Sequence, residues 1–241
     1  MKQTEIPEEL RLKGRWAMGE SGFNEVLQMI REVKPARIVE FGSGISSIRL
    51  AMTFPNVEIT SIENSLKFFN EVRALKEKYV PENLLNLKFS PLRFQRYGAS
   101  FFLTYQPVEV PESVDCVIVD GPPTMFTVRG REACLYQVYN SLRTGGVVII
   151  DDYRRRSERM VVRNWCLTYP DSFEVEERHV GHHFAILKKR TSVAPRGFIW
   201  QKAIDNVVAT LCIPFYATLY YSYMLGCALL NRIKSARPQE S

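Results

Sequence analysis

The chain has 241 residues, 46% of them hydrophobic and 24% charged, enough for one α/β domain with a full core and an appendage. Its five cysteines are scattered without a Cys-x-x-Cys pair, which argues against a disulfide scaffold and fits reduced thiols in a cytosolic setting. The net charge of +6 is local. It gathers in Arg154 to Arg156 with Arg159 and Arg163, in Lys188 to Arg190 with Arg196, and in Arg232, Lys234 and Arg237. No aromatic residues are interleaved with these clusters, so they read as solvated faces rather than a nucleic-acid track. No apolar stretch follows Met1, so a cleaved signal peptide is not expected.

In chain order, Phe23, Val26, Leu27, Ile30 and Val33 fall at helical spacing and predict a helix over 19–33. An apolar run, 36–40, predicts a strand ending in Glu40. The glycine-spaced turn Gly42-Ser-Gly44 follows, then a helix over 45–54 and a second strand ending in Glu63. Ser65 can cap a helix reaching Lys78, and 84–89 is a third strand. The run Val114-Asp-Cys-Val-Ile-Val-Asp120 is a fourth strand, stopped by Gly121-Pro-Pro123. A helix is predicted over 129–142, and Thr144-Gly-Gly146 turns into a fifth strand, 147–150, ending in Asp151-Asp152. A helix over 157–167 precedes two strands, 173–180 and 184–189, joined through Gly181-His-His183. With no helix between them, these last two strands must be antiparallel neighbours. Trp16, before the first helix, is placed either over a cofactor or at the core edge.

A strand–turn–helix–strand unit of this kind cradles one end of a nucleoside-bearing cofactor, and an acid at the next strand end accepts hydrogen bonds from ribose hydroxyls. A nicotinamide site calls for Gly-x-Gly-x-x-Gly, which Ser47 matches weakly. The pattern here is Glu-x-Gly-x-Gly-x-Ser. It resembles motif I of the class I S-adenosylmethionine-dependent methyltransferases, with Ser46 at the usual third glycine. A parallel sheet closed by an antiparallel strand is also characteristic of that family, and the resemblance covers about 16–190. It implies a Rossmann-like, seven-stranded, mostly parallel sheet with a terminal antiparallel strand and helices on both faces. It further implies S-adenosylmethionine held by Glu40, Gly42, Ser43, Gly44, Ser46, Glu63, Asn64 and Asp120.

The pattern Val-Asp-Gly…Gly-Gly-Val-Val-Ile-Ile-Asp-Asp is similar to the cation-dependent O-methyltransferases of the catechol and caffeoyl-CoA type. That resemblance implies Asp120, Asp151 and Asp152 around Mg²⁺ or another divalent cation, although Asp152 replaces the family's Asn and Gly-Pro-Pro departs from it. Capping of the next helix, or pairing with Arg154 to Arg156, is the alternative use of these aspartates. Asp120, His179, His182 and His183 are the candidates for catalysis, a histidine serving as general base. Arg129 and Arg131 are candidates to grip an anionic acceptor, or are surface charges at a helix start.

Residues 207–230 carry no charge and have basic flanks, long enough to span a bilayer. Tyr220, Tyr221 and Tyr223 near the middle, together with Pro214, favour a kinked helix lying in the membrane over a clean span. Packing on the domain or in a homodimer is the competing reading. The chain thus divides into a domain over 1–190, a basic linker over 191–206 and an apolar tail over 207–231. The expectation is a methyltransferase acting on a hydroxyl of a small-molecule, glycan or lipid-linked acceptor at the cytoplasmic face of a membrane, or else soluble in the cytoplasm. A nicotinamide oxidoreductase and a non-catalytic, membrane-tethered scaffold are the alternatives.

Overall fold

The computed structural model describes residues 6–12, 18–180 and 182–235; Trp16, Gly181 and Arg237 lie outside them. Seven strands form one sheet: β1 (Arg37–Phe41), β2 (Glu58–Glu63), β3 (Leu85–Phe89), β6 (Val114–Val119), β7 (Leu142–Ile150), β8 (Phe173–Val180) and β9 (His182–Lys189). Their order is β3-β2-β1-β6-β7-β9-β8. The first five are mutually parallel, and β9 runs antiparallel to both β7 and β8. Strand β8 therefore points the same way as the parallel five.

Both faces of the sheet are covered, so the central strands are apolar without interruption; every residue of β6 is buried. Ile38, Ile59, Cys116, Ile118 and Ile149 enter one core with α1 (Gly19–Val33), α2 (Ile45–Thr53) and α3 (Leu66–Tyr79). Their neighbours Val39, Val117, Val119, Val148 and Ile150 enter the other with α4 (Gly130–Val138) and α5 (Arg156–Thr168). This period-two division follows from the pleat.

Three features differ from the sequence expectations. First, residues 92–105 form a hairpin, β4 (Leu92–Tyr97) and β5 (Ser100–Tyr105), turned at Gly98 with φ +59°. It was not anticipated because it pairs only with itself and hides its other face against helices. Second, α4 ends at Val138 rather than reaching residue 142. Leu142 pairs with Val114 and opens β7, so Gly145 and Gly146 form a bulge within that strand instead of a turn before it. Third, His182 and His183 belong to β9 rather than to a loop.

The apolar tail is part of the domain. Helix α6 (Trp200–Ser235) begins before the uncharged stretch and runs through Pro214. Ala209, Ile213, Ala217 and Tyr220 recur every three or four residues and are buried against the sheet side. The hydroxyls of Tyr220 and Tyr221 find partners within the protein. Tyr220 OH accepts from Leu92 N (3.1 Å) and donates to Asn64 O (3.4 Å), while Tyr221 OH donates to Leu92 O (3.4 Å). This packing holds the helix together across a proline that removes one main-chain bond.

A buried ionic cluster fastens the start of α6. Glu132 of α4 is completely enclosed. It accepts from Arg129 Nε (2.6 Å), Arg129 Nη2 (2.7 Å) and Asn164 Nδ2 (3.0 Å), and pairs with Lys202 Nζ at 3.1 Å. Burial would raise the Glu132 carboxyl, but the Arg129 guanidinium outweighs it and holds the group below the usual carboxylate range. Arg129 Nη1 continues the cluster to Asn206 Oδ1 of α6 (2.9 Å). Arg129 is thus a structural ion locked in the interior, not a grip for an acceptor. Glu132→Gln leaves two buried cations short of an anion, so urea unfolding should show a loss of about 3–5 kcal/mol.

Candidate functional site

The carboxyl ends of β1, β2, β6 and β7 lie on one edge of the sheet, where ligands bind in such folds. Two turns meet there. Phe41 O accepts from both Asp120 N (2.9 Å) and Gly121 N (2.7 Å). Gly42 has φ +101°, and a Cβ on it would stand 2.8 Å from Gly121 N, so only glycine allows the contact. The adjoining Gly121–Pro122 peptide is cis.

Glu40 does not face outward. Its Oε2 accepts from Ser47 Oγ (2.5 Å) and Ser61 Oγ (2.6 Å), and Ser47 Oγ in turn accepts from Gly44 N (3.0 Å). Glu40 therefore braces the turn from below, and burial pushes its carboxyl up to about 7. The buried serine that performs the bracing is Ser47, whereas Ser46 sits half-buried in the first turn of α2. Glu63 lies above the turn. Its Oε2 accepts from Ser43 N (3.0 Å) and its Oε1 from Ser65 N (2.6 Å), and burial raises it to about 7 as well. Asn64 is buried beside it, beneath Tyr220.

Asp120, Asp151 and Asp152 come together, each offering an oxygen within 4.8 Å of the others. The buried guanidinium of Arg131 lies among them. Its Nη2 donates to Asp120 O and lies 3.5 Å from Asp120 Oδ1 and 3.3 Å from Asp152 Oδ2; its Nη1 donates to Asp151 O (3.1 Å). Arg155 Nη1 adds a contact of 2.5 Å to Asp152 Oδ2. Burial first, and then the Asp151 charge, raise Asp120 to about 7 despite Arg131. An all-oxygen set of this kind has the composition of a hard-cation site. With a guanidinium fixed to the main chain beside Asp120 and Asp152, however, the set does not fit a further dication.

The three histidines part company. His182 Nδ1 lies 3.2 Å from Asp151 Oδ1, and that contact raises the imidazole above its ordinary value. Helix α1 passes so close to this ring that a Cβ on Gly22 would stand 2.9 Å from His182 Cγ. His179 and His183 lie together beside Glu177 instead.

Among the described residues, four buried side-chain polar atoms have no hydrogen-bond partner: Ser43 Oγ, Tyr105 OH, Arg131 Nε and His183 Nε2. Each such atom costs about 1–3 kcal/mol. Ser43 stands inside the glycine turn, Tyr105 lies under Gly121 with the charges of Glu63, Arg131 and Asp120 around it, and Arg131 crosses the same edge. A polar ligand with hydroxyls and charged ends, such as S-adenosylmethionine, fits these three. Tyr105 had no motif to announce it, since it stands on the unanticipated hairpin.

Glu40, Glu63 and Asp120 titrate near 7 in the fold and in the ordinary carboxylate range when unfolded. The folded chain therefore holds protons that the unfolded chain has released, and stability falls as pH rises through that interval. His182, also raised, contributes with the same sign. Calorimetry of the cofactor-free protein should give a higher Tm at pH 5.5 than at pH 8, with a flatter slope for Asp120→Asn.

No family model matches the sequence. Among solved structures, the chain is similar to TomG from Streptomyces achromogenes, an O-methyltransferase involved in tomaymycin synthesis and in complex with SAM. The TM-score is 0.52 at 17% identity, covering 73% of this chain and 82% of that one. It is also similar to an O-methyltransferase from Bacillus cereus in complex with SAH (TM-score 0.51, 15% identity, 72% and 82% covered). The SAH-bound methyltransferase PaMTH1 from Podospora anserina aligns at TM-score 0.51 and 15% identity, with 70% and 78% covered. At these identities the likeness is one of architecture: the chain has the Rossmann-like fold of the S-adenosylmethionine-dependent methyltransferases.

Proposed function

We propose that this chain transfers a methyl group from S-adenosylmethionine to a hydroxyl of an acceptor carried at a membrane surface, with His182 as general base. The observation that carries the reading is the His182–Asp151 pair, set on the strand edge where Ser43, Tyr105 and Arg131 keep unpartnered polar atoms. S-adenosylmethionine, when bound, supplies an electrophilic methyl group on a sulfonium. Glu63, Asn64 and the turn Gly42-Ser-Gly44 would hold its nucleoside end. Asp120 supplies negative charge toward the sulfonium, and Glu40 keeps the turn in shape. Asp151 orients the imidazole through Nδ1, leaving Nε2 to take the proton that the acceptor hydroxyl must lose. Arg131 offsets the carboxylates crowded around the reacting region.

The membrane part rests on α6. Trp200–Leu229 is long and apolar enough by length and composition to cross a bilayer. A crossing would strip the inner face of its bonds to Leu92, Asn64 and Glu132. The outer face carries Trp200, Ile204, Leu211, Phe215, Leu225 and Leu229, with Leu211 75% and Phe215 64% exposed. Basic residues flank the stretch on both sides in sequence. An in-plane helix on an anionic lipid surface, its apolar face turned to the acyl boundary, satisfies both faces.

Labelled methyl groups should pass from S-adenosylmethionine into a membrane fraction, and metal-free protein should need no added Mg²⁺. His182→Asn should lower that rate about 10²- to 10⁴-fold while S-adenosylhomocysteine still binds. Calorimetric titration showing tight NAD binding and none of S-adenosylhomocysteine would overturn the assignment. The full-length chain should co-sediment with vesicles containing anionic lipid, and the double variant L211E/F215E should stay in the supernatant. Wild-type protein remaining in the supernatant removes the membrane from the reading.

A further inference from the structure

We propose that the β8–β9 hairpin holds a transition-metal site, made by Glu177 and His179 of β8 and His183 of β9, suited to Zn²⁺. The register sets it up. His179 and His183 are direct cross-strand partners, and Glu177, two residues before His179, shares its face of the strand. Two imidazoles and one carboxylate thereby project from neighbouring strands to one place, with their rings and ligand atoms gathered rather than spread along the sheet.

The distances match a coordination sphere. Glu177 Oε2 lies 3.4 Å from His179 Nε2 and 3.6 Å from His183 Nε2, and all three ligand atoms fall within 4.8 Å of one another. Ligands about 2.0–2.1 Å from a tetrahedral ion stand about 3.3–3.4 Å apart along each edge. The imidazole rings of His179 and His183 are 3.5 Å apart at their centroids.

His183 Nε2 provides the independent observation. It is buried and has no hydrogen-bond partner, the one such atom among the described residues outside the cofactor edge. A buried imidazole nitrogen calls for a donor or a metal. The surroundings also suit a ligand shell: Tyr153 packs edge-on against the His183 ring at 5.7 Å, and its phenol reaches Glu177. Glu177 and the His179 side chain are open enough to solvent for an ion to enter. Nitrogen-rich ligation selects a borderline dication over Mg²⁺.

This site is distinct from the reacting edge. Successive residues of β9 leave on opposite faces, so His182 turns to Asp151 and α1 while His183 turns to Tyr153 and Glu177. A bound ion would clip the hairpin tip and fix the strand that presents His182.

The test uses the untagged full-length chain, stripped with chelator and titrated with Zn²⁺ against a chromogenic competitor. One equivalent should bind per chain, and Co²⁺ in its place should give the intense visible bands of tetrahedral coordination. His179→Ala, an exposed change that spares the core, and His183→Ala should each weaken binding by more than about 100-fold, above the usual cost of losing an outer-shell partner. His182→Asn should leave the affinity unchanged. Failure of the wild-type chain to bind Zn²⁺, or binding that survives both His179→Ala and His183→Ala, would overturn the assignment. Methyl transfer is read separately, by label incorporation.

Discussion

Asp120, Asp151, Asp152 and Glu158 crowd the end of two adjacent strands, and the arrangement depends on one buried cation. Arg131 reaches Asp120 and Asp152 through Nη2, at 3.5 and 3.3 Å, and Glu158 through Nη1 at 3.7 Å, while also bonding the carbonyls that close β6 and β7. Two like charges 4 Å apart near a protein surface repel by about 4 kcal/mol. Removing the guanidinium would leave that repulsion acting across the strand ends that form the site. The next residue, Glu132, points the other way and gathers Arg129, Asn164 and Lys202. The first turn of α4 therefore joins the reacting edge to the helix that lies over it.

The parallel strands, the closing hairpin and the glycine turn were legible in the sequence because they rest on local signals. Apolar runs, paired glycines and the missing helix between residues 180 and 184 each constrain their own neighbourhood. What escaped the sequence depends on tertiary partners. The β4–β5 hairpin carries phenylalanines and tyrosines whose burial is decided by α4 and α6, both remote in sequence. Ser47 and Ser46 are chemically equivalent until the helix phase turns one toward Glu40. Three histidines within five residues looked like one group, but strand alternation separates them.

The tail shows the same limit from the other side. Its composition identifies an apolar helix, and that much holds. The tyrosines looked out of place because their partners, Leu92 and Asn64, lie about 130 to 155 residues earlier. Only the fold reveals that Tyr220, with Ala209, Ile213 and Ala217, lies on the buried face, while Leu211, Phe215 and Leu225 lie on the outer one. Pro214, which would weaken an isolated helix, is carried by packing on both sides of it.

Tyr220 and Tyr221 tie α6 to the strand ends where the nucleoside half of a cofactor would sit. The helix is thus a shared wall between two surfaces with separate chemistry. If seating the helix more firmly orders the strand ends beneath it, a ligand held there must favour the seated helix by the same free energy, since binding linkage is reciprocal. On the proposed reading, membrane attachment and cofactor retention would then be coupled. A substitution on the solvent side of α6 need touch no ligand to change how long one stays.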